Sequence, residues 1–234
     1  MKKTQQDFFM FSSKLLKNKL ESSLELELCI EWFSTLPADF ESIKKILLDA
    51  FGEAYQPFSE SDLKLKPGYK EKIILSIAEE FIEYVALGKY QHVVVKVSDH
   101  VVGCAAVSIH YSNKNSVWSP TKIVSLEYLA VDPKWKGRGL GRELINAVLH
   151  RFDSVNGIDL YTRNLPTGAS DFYTKSEFKK ASLEELNIPL NTSWEGYNES
   201  LSKADFIGFF YPPKLTRHHS VPDFRQLDSQ RKKL

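Results

Sequence analysis

Leu129-Ala130-Val131-Asp132-Pro133-Lys134-Trp135-Lys136-Gly137-Arg138-Gly139-Leu140-Gly141 is the stretch on which the fold turns. Its apolar start belongs to a strand over residues 122–131. Asp132-Pro133 ends that strand, because proline disfavours helix in the residue before it and donates no ladder hydrogen bond. From Gly139 on, Leu140, Leu144, Ile145, Val148, Leu149 and Phe152 recur at helical spacing, so the glycines run directly into an amphipathic helix. A strand, a tight glycine turn and a helix N-terminus aim several backbone N–H groups in one direction, with the positive end of the helix dipole behind them. Such a junction accepts phosphate. Gly137, Gly139 and Gly141 lack the β-carbons that would block a diphosphate, and Lys136, Arg138 and Arg142 surround it with positive charge.

Spacing separates the phosphate-binding motifs that compete for this segment. A P-loop closes on Gly-Lys-Ser/Thr, where this chain has Gly141-Arg142-Glu143. A dinucleotide fingerprint needs Gly-x-Gly-x-x-Gly, whereas Gly137, Gly139 and Gly141 are each two apart, and the downstream Asp159 starts a strand instead of ending one. A glycine turn that opens a helix and binds nothing is the plainest alternative.

Working outward, the chain upstream predicts an alternating strand from residue 24 to 32 and, after Pro37, a helix through Phe40, Ile43, Ile46, Leu47, Ala50 and Phe51 that Gly52 stops. A long loop over residues 53–69 and a second helix over 70–87, closed by Gly88, come next. Residues 92–97 and 101–111 read as an antiparallel hairpin across Ser98-Asp99-His100. Downstream lie a short strand over 158–162, a short helix over 168–175, a strand over 178–183 and a last strand over 206–211, which Pro212-Pro213 stops. Residues 1–23 carry five lysines before the first glutamate and a loose helical face of Phe8, Phe9, Phe11, Leu15, Leu16 and Leu20; they read as an N-terminal helical extension. Residues 216–234 form a basic polar tail, leaving 24–215 as one domain.

Composition narrows the function classes. A chain of 234 residues with 42% hydrophobic content can build one substantial core. Lys plus Arg (31) nearly balances Asp plus Glu (30), so no overall field draws the chain onto nucleic acid or an acidic membrane. No apolar run approaches the roughly 18 residues of a membrane span. Cys29 and Cys104 sit among apolar neighbours, as reduced buried side chains do, which makes a cytoplasmic setting the default expectation. The six histidines lack metal-ligand spacing, and no metal is expected.

The glycine turn also resembles the GNAT N-acetyltransferase superfamily, whose signature is Gln/Arg-x-x-Gly-x-Gly/Ala; Lys136 to Gly141 matches it with lysine in first place. Ala169-Ser170-Asp171-Phe172-Tyr173-Thr174-Lys175-Ser176-Glu177-Phe178 is similar to the family's Ala-x-x-x-Tyr-x-x-x-Gly-Phe, with Glu177 in place of the glycine. The resemblance implies an α/β (α+β) fold in which a mixed, mostly antiparallel sheet of six to seven strands is flanked by about four helices. It implies acetyl-CoA or another acyl-CoA as cosubstrate, with the acyl group passing directly to an amine of a small molecule or protein. A non-catalytic acyl-CoA binding module is the alternative. The implied cofactor contacts are Leu129, Ala130 and Val131, where the pantetheine arm would lie like an extra strand between splayed strands, together with Lys136, Gly137, Arg138, Gly139, Leu140, Gly141 and Arg142.

Tyr173 matches the family tyrosine that protonates the departing thiolate, and it would also touch the cofactor. Glu127 is the candidate general base. By the two-residue period of a strand it shares a face with Leu129 and Val131, as does Ser125, which could polarise a water. Asn164 stands two residues before the position where the family often has an asparagine, here Pro166. The resemblance assigns acceptor choice to residues 52–70, with Tyr55, Phe58 and Tyr69, and to residues 186–203, with Trp194 and Tyr197.

Overall fold

Runs such as Val93-Val94-Val95 and Val101-Val102 are stiff at χ1 and favour extended backbone, and they form the centre of the sheet. The computed structural model describes residues 27–33, 37–112, 121–152, 157–186, 195–198 and 201–212. The expected N-terminal helix, the C-terminal tail and Trp194 lie outside these residues. The elements run β1 (Leu28–Trp32), α1 (Pro37–Tyr55), α2 (Lys70–Ala86), β2 (Gln91–Val97), β3 (His100–Ser112), β4 (Thr121–Val131), α3 (Leu140–Arg151), β5 (Ile158–Arg163), α4 (Ala169–Lys175), β6 (Lys179–Ala181), α5 (Leu183–Leu186) and β7 (Phe206–Tyr211).

Seven strands form one sheet in the order β1-β2-β3-β4-β5-β7-β6. Every pairing is antiparallel except β4 with β5. This is the mixed, mostly antiparallel sheet expected. The β2–β3 hairpin turns through Ser98 and Asp99, both in the left-handed region (φ 48° and 64°) that a two-residue hairpin loop demands.

Each face of the sheet has its own core. On one, Leu144, Ile145 and Val148 of α3 pack on Val93, Val95, Val107, Val124 and Leu126. On the other, Ile43, Ile46 and Leu47 of α1 and Ala78 and Phe81 of α2 cover Val94, Cys104 and Ala106. Each large aliphatic side chain so buried contributes about 1.5–3 kcal/mol relative to exposure. The second core also takes in charge: Lys96 ties β2 to β1 and α1 through Glu31 and Asp39, both at 2.7 Å.

Two expected boundaries move. α1 runs through Gly52 to Tyr55, with the Gln56 amide bonding the Gly52 carbonyl at 2.9 Å. The cost of about 1 kcal/mol for an internal glycine is outweighed by the packing of Phe51, whose ring lies 6.1 Å from that of Tyr55, tilted against it, and rests on the second core. The strand expected over 178–183 is only Lys179–Ala181, because Ser182 starts α5 with a capping box. The Ser182 amide donates to Glu185 Oε2 at 2.7 Å, and the Glu185 amide donates to Ser182 Oγ at 3.1 Å.

Candidate functional site

β4 and β5 pair only at Val124 with Ile158 and at Ser125 with Asp159. Beyond these two pairs the strands separate, and among the described residues the edge of β4 from Leu126 to Val131 has no strand partner on that side. A cleft of about 620 Å³ opens there, lined by residues of α1, α2, β4, β5 and α4, a volume in the range of small-molecule sites.

A β-bulge sets what faces this cleft. Ala106 of β3 pairs with Tyr128 and Val107 with Leu126, so Glu127 is the extra residue. The bulge reverses the alternation: Val124 and Leu126 face the α3 core, and Leu129 and Val131 also pack there, whereas Tyr128 and Ala130 lie against the α1–α2 core. The expectation that Glu127 and Ser125 share a face with Leu129 and Val131 is therefore wrong. A strict two-residue period cannot register an extra residue.

Glu127 turns toward α2. Ser108 Oγ donates to Glu127 Oε1 at 2.5 Å, and Ser125 Oγ donates to Asp159 Oδ1 beside it. Burial pushes the Glu127 carboxyl above the ordinary carboxylate range; the Ser108 hydrogen bond opposes this, while the charges of Asp159 and Glu80 add to it. Asp159 is also raised, first by burial, with the Ser125 hydrogen bond opposing. Ser125 is thus engaged by Asp159 rather than free to orient a water. On the far wall Glu80 accepts from Tyr90 Oη at 3.3 Å.

The glycine turn is shaped by φ. Gly137 (+78°) and Gly139 (+86°) both occupy the left-handed region, and a Cβ on either would project into open space. Gly141 differs: a Cβ there would meet the Phe172 ring at 3.3 Å, so its bareness lets α4 approach α3. Among the described residues the amides of 137–141 bond to no backbone carbonyl, while those of Arg142 and Glu143 both reach the Gly139 carbonyl, at 2.9 and 3.1 Å. Five successive amides are left for a ligand, the nest an anion requires. Leu140 anchors the turn with its buried side chain. Arg138 stacks on Trp135 at 4.7 Å, Lys136 pairs with Glu53 at 2.6 Å, and Arg142 lines a separate hollow between α3 and α4.

Tyr173 lines the cleft opposite β4, its ring packed against Phe172, Phe178 and Phe209 at 5.2, 5.9 and 5.4 Å. Burial raises its phenol well above the ordinary value, so it stays protonated at neutral pH.

The family model described as Acetyltransferase (GNAT) family matches residues 42–178, more than half of the chain and the whole of the glycine turn, both flanking strands and α4. The chain belongs to the GNAT acetyltransferase family. Solved structures agree in fold. PH1933 from Pyrococcus horikoshii OT3 is 18% identical with a TM-score of 0.52, covering 81% of this chain and 100% of that one. NAA60 of Arabidopsis thaliana, solved in complex with acetyl-CoA, is 15% identical with a TM-score of 0.52, covering 79% of this chain and 98% of that one. No curated protein matches the sequence significantly.

Against the GNAT pattern, the departure at Glu177 leaves the turn intact. Glu177 takes the glycine's left-handed conformation (φ +68°), and the Phe178 amide still bonds the Tyr173 carbonyl at 3.1 Å. Asn164 turns away from the cleft, with its amide on the Asp205 carbonyl at 2.8 Å and its side chain toward the Ala204 carbonyl at 3.4 Å.

The loop between α1 and α2 meets the segment 195–198. Leu65 bridges Tyr197, Lys66 N donates to the Gly196 carbonyl at 2.9 Å, and Asn198 Nδ2 donates to the Leu65 carbonyl at 2.6 Å. Of the aromatics expected to shape acceptor choice, Tyr55 and Tyr197 line the cleft.

Two charged cleft residues, Glu80 and Arg163, escaped the sequence reading, and Asp159, near Glu127, was weighed only against a dinucleotide fingerprint. Each had a weak signal only. Asp159 interrupts the apolar pair Ile158 and Leu160 in a short strand, and Arg163 ends that strand where a core residue would be cheaper to bury.

Proposed function

We propose that this protein is an N-acyltransferase that moves an acetyl group from acetyl-CoA to a primary amine. The observation that carries the reading is the coincidence, in one cleft, of an unpaired β4 edge, a nest of five free amides at 137–141 and two groups poised for proton transfer, Glu127 and Tyr173. The nest and the positive end of α3 would hold the diphosphate, with Lys136, Arg138 and Arg142 around it, and the β4 edge at Leu129, Ala130 and Val131 would hold the pantetheine arm. Acetyl-CoA supplies the activated thioester.

The chain supplies the proton handling. An amine arrives as an ammonium and must lose a proton before it can attack. Glu127, with its carboxyl raised by burial, accepts that proton directly or through a water. Tyr173, held protonated, donates its hydroxyl proton to the sulfur as the carbon–sulfur bond breaks. Glu80 and Tyr128 line the same cleft, so the ammonium meets polar groups before it meets the base.

Thiol release from acetyl-CoA over a panel of amines tests this reading. Amine-dependent release is expected, and Tyr173→Phe should lower turnover by roughly ten- to ten-thousand-fold while leaving acetyl-CoA affinity within about twofold. A protein that binds CoA yet releases no thiol with any amine would instead be a binding module.

A further inference from the structure

The cleft is electrically lopsided. Glu127 and Glu80 line it from β4 and α2, with Asp159 near Glu127, whereas Arg163 lines it from the last residue of β5. Asp159, Tyr161 and Arg163 alternate onto one face of β5, so Arg163 lies about 13 Å along the strand from Asp159. Glu127, two residues past the partner of Asp159, lies only about 7 Å along its own strand. The cation and the base are therefore offset along the cleft rather than paired.

Arg163 is held as a binding group would be. It donates to the Leu63 carbonyl at 3.3 Å and to Tyr197, and its guanidinium lies between the Phe206 and Tyr197 rings at 5.6 and 5.9 Å. Its Nε is buried and makes no hydrogen bond, and among the described residues Arg163 forms no ion pair. The neighbouring cations are already matched: Lys64 by Asp205 at 2.9 Å and Lys136 by Glu53 at 2.6 Å. A half-buried guanidinium with no carboxylate is costly unless a ligand provides one.

We infer that the acceptor amine carries a carboxylate, which Arg163 grips while the ammonium faces Glu127. One cation suits a monoanion better than a phosphate dianion, and a flat fork framed by aromatic rings suits a planar carboxylate. The inference rests on the transferase reading for the amine but not for the anion. Tyr55 and Tyr197, on the two joined loops, wall the same end, so loop pairing and anion capture are parts of one device.

The test uses the full chain with CoA present. Binding of N-acetylated amino acids is measured by calorimetry beside their carboxamides, over α-amino acids with aliphatic, aromatic and acidic side chains and over ω-amino acids from glycine to 6-aminohexanoate. At least one carboxylate should bind about ten- to a hundredfold tighter than its amide, as a charge-assisted pair should. Arg163→Gln should erase that difference and Arg163→Lys keep part of it, each with a melting curve to show a folded protein. The inference is overturned if no member of the series prefers the carboxylate in the wild type, or if the preference survives Arg163→Gln. Thiol release with neutral amines, measured in parallel, reports on the transferase reading separately: release without any carboxylate preference removes the inference and leaves that reading standing.

Discussion

The two faces of the sheet are made from the same strands and differ in what they bury. Under α3 the contact is hydrocarbon throughout, with Val93, Val107, Val124 and Leu126 against Leu144, Ile145 and Val148. Under α1 and α2 the same strands present Ser108, Glu127, Ser125 and Asp159, beside the Lys96 cluster with Glu31 and Asp39. The first face is apolar, and the second buries the polar groups on which the proposed chemistry rests. One extra residue at Glu127 joins them, since it lets Leu126 and Leu129 both face the α3 core while a carboxylate turns to the other side.

The largest expected effect separates the faces by function. Glu127→Gln should lower turnover by about a hundred- to ten-thousandfold. It should not lower stability at neutral pH, and the sign follows from linkage. A carboxyl whose folded pKa lies above its unfolded value binds its proton more tightly in the native state, so its contribution to stability is lost as pH rises through that window. The glutamine variant, with no proton to lose, should melt at or above the wild-type temperature at pH 7, and its melting temperature should vary less between pH 4 and pH 7. A variant that is both destabilised and inactive would make Glu127 a structural group.

A core truncation reverses the pattern. Leu144→Ala on the α3 face should cost about 2–5 kcal/mol by chemical denaturation, with the activity of the folded fraction preserved. An equal loss of activity per folded molecule would mean that the faces are coupled more tightly than the separate cores imply.

A smaller change touches neither face. Glu177 holds a left-handed conformation that costs a non-glycine residue about 1–2 kcal/mol, part of which glycine returns through the flexibility of the unfolded chain. Glu177→Gly should therefore stabilise by about 0.5–1 kcal/mol, visible as a rise in melting temperature with unaltered turnover.

This contrast also explains what the sequence disclosed. Periodicity in Leu140, Leu144, Ile145 and Val148 located α3 because an apolar stripe is the direct imprint of the α3 face. The glycine turn was legible because Gly137 and Gly139 need positive φ, a local demand that a side chain advertises by its absence. The bulge was not legible, since an extra residue in β4 is defined only against β3, and the pattern 124–131 reads equally well as unbroken alternation. Arg163 and Glu80 stayed hidden for a similar reason: their significance lies in partners far along the chain, such as Leu63 and Tyr90, which no local pattern connects. The helix end at Gly52 failed because packing of Phe51 overrode a local propensity.

The account stands on the claim that the amides of the glycine turn hold the diphosphate of acetyl-CoA. Titration calorimetry with acetyl-CoA on wild type, Gly139→Asp and Gly139→Asn tests it, the asparagine variant imposing the same backbone demand without charge. The account predicts saturable binding by the wild type, a loss of about a hundredfold or more in the folded aspartate variant, and a smaller loss in the asparagine variant. Equal affinity in wild type and a folded Gly139→Asp protein would contradict it.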